Sequence, residues 1–239
     1  MESINELKNK LKTEKKHDFE SLLQLVRVLR SPEGCVWDRE QTHESIRSDI
    51  IEETYEVIEA IDKRDTALLR EELGDVLFQV MFHSRIEEER GSFTVDDVIG
   101  DIVDKMVLRH PHVFGSVDVE NSAEVLENWE KIKKVEKQRI TVRENMQSVP
   151  KQLPALMRAK KIIKKARKDG YEFESDEEIS GKLHAIADSV PTDDANARQK
   201  MACDLVFLAS VLAGDSSDLE KMLGERVDEF IESYPEKGE

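Results

Sequence analysis

Residues 44–90 read ESIRSDIIEETYEVIEAIDKRDTALLREELGDVLFQVMFHSRIEEER, and this stretch decides the fold. Its first half places Ile46, Ile50, Thr54, Val57, Ile58 and Ile61 on one side at about 100° per residue, which predicts a helix from Glu44 to Asp62. Lys63-Arg64-Asp65 makes a short turn. A second helix follows from Thr66 to Arg90, ended by Gly91. Its centre, VLFQVMF, is apolar almost all round, which implies burial on several sides. The brief turn makes the two helices an antiparallel hairpin.

The pattern continues outward in both directions. FESLLQLVRVLR carries an apolar stripe (Leu22, Leu23, Val26, Val28, Leu29) and stops at Ser31-Pro32-Glu33-Gly34. Residues 1–18 are polar and are expected to be frayed or solvent-facing. Beyond the hairpin, Thr94 and Asp97 form a capping box for a helix that ends at His110-Pro111. A further helix spans Ala123 to Arg139. Pro150 and Pro154 bracket a linker, and four more helices are expected over 155–239. The fold class is therefore all-α: two tandem helical bundles, residues 1–145 and 146–239. ACDLVFLASVL echoes LGDVLFQVMFH, and LMRAKKIIKKARKDGYE echoes LLQLVRVLRSPEGCVWD, so the second bundle reads as a worn copy of the first.

Composition narrows the function. Acids exceed bases by 16 over 239 residues, a field that repels nucleic acid backbones. The same field tolerates a small phosphorylated ligand if a divalent metal inverts the local charge. No apolar run reaches the roughly 18 residues needed to span a membrane. The first residues have no apolar core of the signal-peptide kind. The two cysteines, Cys35 and Cys203, make neither a disulfide framework nor a metal motif, and a cytoplasmic setting is expected.

The chemistry lies in carboxylates on the hairpin. Glu53 and Glu56 are i, i+3 on the first helix, with Glu52 beside them; Glu72 and Asp75 are i, i+3 on the second. Glu53 lies at the edge of the apolar stripe, and Glu72, Asp75 and Gln79 form a narrow polar strip on an apolar surface. None of Glu53, Glu56, Glu72 and Asp75 has a Lys or Arg three or four residues away. Such unpartnered acids would cost several kcal/mol or take up protons, and a hard divalent cation removes that cost. All-oxygen ligation favours Mg²⁺ or Mn²⁺, completed by substrate phosphates. The acidic run Glu87-Glu88-Glu89 reads instead as a solvated face. Cations and aromatics for a nucleotide come in i, i+4 pairs: Lys105 with Arg109, and Trp129 with Lys133. The CVWDREQTH loop adds Trp37, Gln41 and His43 as further substrate contacts.

In their order and spacing, CVWDREQTHESIRSDIIEETYEVIEAI, LREELGDVLFQVMFHSRI, KMVLRHPHVFG and VLENWEKIKKVEK resemble the MazG family of nucleoside triphosphate pyrophosphohydrolases over about residues 20–137. LPALMRAKKI at 153–162 extends the likeness. The resemblance implies hydrolysis of NTPs or dNTPs to monophosphate and pyrophosphate in nucleotide-pool control, and a homodimer. It assigns metal to Glu53, Glu56, Glu72 and Asp75, with Glu52 beside them, and suggests nucleotide contacts at Lys105, Arg109, Trp129 and Lys133. By the charge argument, an acid not fully used by the metal, Glu52 or Glu53, is the catalytic group that orients or deprotonates the attacking water. The second half departs from the family's repeated acidic motif: His184-Ala185-Ile186-Ala187-Asp188 and Met201-Ala202-Cys203-Asp204 retain little of it, so that half reads as degenerate. A narrower enzyme for one deoxynucleotide, and a non-catalytic nucleotide-sensing or partner-binding helical protein, are the alternatives.

Overall fold

The computed structural model describes residues 3–136, 141–188, 194–214 and 218–233. Among these there are thirteen helices and no strand. They divide into two compact units, Met1–Leu126 and Glu127–Glu239.

The first unit holds α1 (Ile4–Thr13), α2 (Phe19–Leu29), α3 (Val36–Glu40), α4 (Asp49–Lys63), α5 (Thr66–Arg90), α6 (Val95–Arg109), α7 (Pro111–Phe114) and the start of α8 (Ser122–Glu136). The α4–α5 hairpin is its most extensive helix pairing. Two local devices set it. Arg64 adopts the left-handed conformation (φ 55°), and its N–H and that of Asp65 take the last carbonyls of α4. The Asp65 carboxylate then accepts from the N–H groups of Ala67 and Leu68 and opens α5. Gly91, in the left-handed region (φ 73°), closes α5.

The core gathers Val26 of α2, Ile46, Met81, Phe82 and Ile86 of α5, and Val95 of α6. α4 starts at Asp49 rather than Glu44. Thr42 and Ser45 bond each other's backbone N–H instead, and the resulting turn drives Ile46 into the core. The apolar stripe read on α4 is not buried within the chain: Ala60 is the buried residue of that helix, while Ile58 and Ile61 are exposed. Residues 4–13, expected to fray, form a helix. Ser3 and Glu6 make a reciprocal capping box, Leu7 is buried, and Lys8 donates to the Glu33 carbonyl. Gly34 is required where it stands, because a Cβ there would meet the carbonyl oxygens of Val28 and Leu29 at 2.1 and 2.3 Å.

The second unit takes in the rest of α8, α9 (Val142–Gln147), α10 (Ala155–Lys168), α11 (Asp176–Asp188), α12 (Ala195–Leu212) and α13 (Leu219–Ser233). The expected end of the α8 helix at Arg139 falls outside the described residues. α9, which precedes the Pro150–Pro154 stretch read as linker, is opened by a Thr141–Glu144 capping box. The four helices expected over 155–239 are α10 to α13. Ile163, Ile179, Leu208 and Val211 form this unit's core. α10 packs on α12 as α2 packs on α5, the two pairs that echo each other in sequence.

Candidate metal and nucleotide site

Antiparallel pairing of α4 and α5 brings the acids of the two helices together. One carboxylate oxygen from each of Glu53, Glu56 and Glu72 lies within 4.8 Å of the others, and this is the one group of potential metal ligands of that kind among the described residues. Glu72 is buried (8% exposed) and Glu53 and Glu56 are half-buried. Burial raises the proton affinity of Glu53 above the ordinary carboxylate value, and the charges of Asp75 and Glu56, a hydrogen bond to Glu56 and the charge of Glu72 raise it further. Glu72 is raised likewise, by burial first and then by Glu56, Glu71 and Asp75. No cation figures among the influences on either acid. Asp75 is exposed, and its charge acts on both Glu53 and Glu72. Glu52 is exposed and lies outside the trio.

The donor set suits a hard divalent ion. It is all carboxylate oxygen, it is drawn from two helices, and its mutual repulsion is what a bound cation would relieve.

The other expected contacts are placed as follows. Trp37 stands on α3 with 59% of its surface exposed. The side chain of Gln41 is used within its own loop, donating to the Trp37 carbonyl (2.8 Å) and accepting from Ser45 Oγ (2.8 Å). Lys105 is half-buried and Arg109 buried, both on α6, which packs on α5. Trp129 and Lys133 are half-buried on the part of α8 that belongs to the second unit.

His43 is engaged in a chain of side chains that its spacing did not reveal. Its Nε2 lies 2.7 Å from Glu87 Oε1 and its Nδ1 lies 2.7 Å from His83 Nδ1, the two rings stacked at 5.0 Å; Arg90 also donates to Glu87 (2.6 Å). Glu87-Glu88-Glu89, expected to be solvated, is in fact paired throughout. Glu88 meets Arg27 and Arg85, and Glu89 meets Arg30 and Arg85. Arg85 and Arg90 stand three or four residues from their acids and were legible; Arg27 and Arg30 come from α2 and were not.

His43 and then Ser92 hold Glu87 well below the ordinary carboxylate range, at about 2. A depressed acid adds stability that is complete above its unfolded value of 4.5 and is lost as pH falls from there through about 2. Glu87→Gln is therefore expected to flatten the acid limb of the stability–pH curve in that window. Urea unfolding at several pH values checks it, and a limb unchanged in the variant contradicts the assignment.

Comparison with known proteins agrees with this geometry. Residues 41–114 match the MazG nucleotide pyrophosphohydrolase domain, which takes in the α4–α5 hairpin and α6. The chain is 37% identical to the nucleoside triphosphate pyrophosphohydrolase/pyrophosphatase MazG of Thermotoga maritima, over 90% of this chain and 84% of that protein. It is 40% identical to the nucleoside triphosphate pyrophosphohydrolase of Escherichia coli K12, over 82% of this chain and 78% of that protein. It is also 52% identical to the uncharacterised protein YabN of Bacillus subtilis over 62% of this chain, spanning 30% of that protein's length. With an acid cluster on a helical hairpin and such relatives along most of its length, the chain belongs to the MazG family of nucleoside triphosphate pyrophosphohydrolases.

Proposed function

We propose that the chain hydrolyses nucleoside triphosphates, NTP or dNTP, to the monophosphate and pyrophosphate, with Mg²⁺ as its ion and Mn²⁺ as a substitute. The observation that carries this reading is the convergence of Glu53, Glu56 and Glu72 within 4.8 Å, with no cation among the influences on Glu53 or Glu72. Glu53, Glu56, Glu72 and Asp75 would hold the ion, which supplies charge neutralisation to the triphosphate oxygens. Glu52 or Glu53 accepts the proton of the attacking water at a carboxylate oxygen, and the raised proton affinity of Glu53 suits a general base. Water attacks the α-phosphorus and pyrophosphate leaves. Lys105 and Arg109 bind phosphate oxygens, Trp37 and Trp129 offer faces for a base, and Gln41, His43 and Lys133 are further contacts. Residues 1–145 carry the catalysis, and 146–239 are a degenerate copy.

Pyrophosphate release from the full chain, measured with eight nucleotides with and without Mg²⁺, tests the reading. Release that requires Mg²⁺ is expected; no release with any of the eight would remove the enzymatic reading in favour of a binding protein.

The same reading includes a homodimer in a cytoplasmic setting. Ile58 and Ile61 of α4, and Leu73 and Leu77 of α5, are apolar and between 41 and 54% exposed on the hairpin that carries the acids. An uncovered apolar surface of this kind fits a second copy. Among the described residues no helix is long and apolar enough to cross a membrane. Leu77→Glu is expected to convert the dimer to monomer in light scattering; a monomeric parent would contradict the assembly.

A further inference from the structure

The second unit contains an open groove of about 560 Å³ that the acid chemistry does not use. Ile162 of α10 and Val206 and Phe207 of α12 give it an apolar wall. Lys151 and Arg158 supply two cations, Cys203 stands among the lining residues, and no acid lines it. That lining is unusual in a chain whose 52 acids outnumber its 36 bases. The guanidinium and the ammonium with no acid beside them give the lining a positive end, which an anionic head group complements. Volume, apolar wall and a few converging polar groups are the features of a small-molecule site.

We propose that this groove binds a small organic anion with an apolar body, a carboxylate or phosphate monoester on an aromatic or branched aliphatic group, with its head on Arg158 and Lys151 and its body against Ile162, Val206 and Phe207. A purely apolar occupant would leave the charges of Lys151 and Arg158 without a counter-charge, and inorganic phosphate would leave the apolar wall wet.

Cys203 reports occupancy, because it lines the groove and is exposed, while Cys35 lies in the first unit. The test follows alkylation of both cysteines by N-ethylmaleimide in the full chain, read by peptide mass spectrometry. Naphthyl phosphate and naphthoate are the two probes, and neutral naphthol is the control. At ten times its dissociation constant a probe is expected to slow Cys203 alkylation about tenfold, by mass action, and to leave Cys35 unchanged. The stronger of the two probes identifies the head group. Arg158→Gln abolishes the protection and Arg158→Lys keeps part of it; Ala202→Phe, which narrows the groove, also abolishes it and serves if Arg158→Gln fails to fold. The proposal is overturned by any of four results: no protection by either probe up to roughly 1 mM, where binding free energy is only about 4 kcal/mol; equal protection by naphthol; protection that survives in folded Arg158→Gln; or a Cys203 already unreactive without probe, which would mean that a second copy covers the face. None of these readouts depends on pyrophosphate release, so the site and the catalytic reading fail separately.

Discussion

Glu56→Gln is expected to lower kcat/KM for nucleoside triphosphate by about 10³, equivalent to about 4 kcal/mol of transition-state stabilisation, with the helical content unchanged. Glu56 acts on Glu53 within its own helix and on Glu72 across the pair; Asp75 also acts on both, but unlike Asp75, Glu56 contributes an oxygen to the trio. Glutamine keeps its shape and removes its charge. It also relieves repulsion in the metal-free cluster, so loss of activity cannot be ascribed to loss of fold. Glu59→Gln is the matched control. Glu59 is one turn away, half exposed and paired to Lys63, and its removal should change activity by less than about twofold, as an exposed pair contributes little. Steady-state pyrophosphate release on both variants measures the contrast. Glu56→Gln within tenfold of the parent would separate the cluster from the chemistry.

Arg30→Ala is expected to cost about 3 kcal/mol of stability, because it removes a buried guanidinium and leaves the two part-buried carbonyls it braces without their donor. The Arg30 side chain is 6% exposed. Its Nε and Nη2 grip both oxygens of Glu89, and its Nη1 donates to the carbonyls of Asp38 (2.6 Å) and Gln41 (3.1 Å). Its guanidinium also lies 5.2 Å from the centre of the Phe82 ring. Truncation strands two carbonyls, removes one of the two arginines that hold Glu89, and frees the 38–41 segment at the end of α3 next to Trp37. Urea denaturation gives the cost, and the accompanying kinetics should show KM rising more than kcat falls if Trp37 meets the base. Arg30→Lys keeps the charge but lacks the planar fork, and is expected to recover less than half of the loss. A cost below about 1 kcal/mol for the alanine variant would show that the brace does not hold the loop, since changes of that size are ordinary for surface positions.

The elements that govern the site were legible because their signals are local. The α4–α5 hairpin follows from period, turn and cap within one stretch of sequence, and the meeting of Glu53, Glu56 and Glu72 follows from i, i+3 spacing on two antiparallel helices. The helix over Ile4–Thr13 was legible too, from Ser3 and Glu6 and the spacing of Leu7 and Leu11, but its polar surroundings masked it. The start of α4 was misplaced because Ile46 fits a helical stripe as well as it fits a core-anchored turn, and only its packing against Met81 and its neighbours decides. Of the partners of Glu87-Glu88-Glu89, only Arg85 and Arg90 on the same helix were legible. A run of acids looks the same whether it faces water or Arg27, Arg30 and His43, whose sequence separations run from 44 to 61 residues. The exposed stripe of α4 belongs to the same class, since periodicity marks a face to be covered without naming what covers it.

The central claim is that acids from two helices share one divalent ion. Mn²⁺ titration of the full chain, followed by electron paramagnetic resonance with a non-hydrolysable nucleoside triphosphate analogue present, tests it directly. Saturable Mn²⁺ binding in the parent, strongly weakened in Glu56→Gln and in Glu72→Gln, is the result predicted. Equal Mn²⁺ binding in parent and both variants would contradict it.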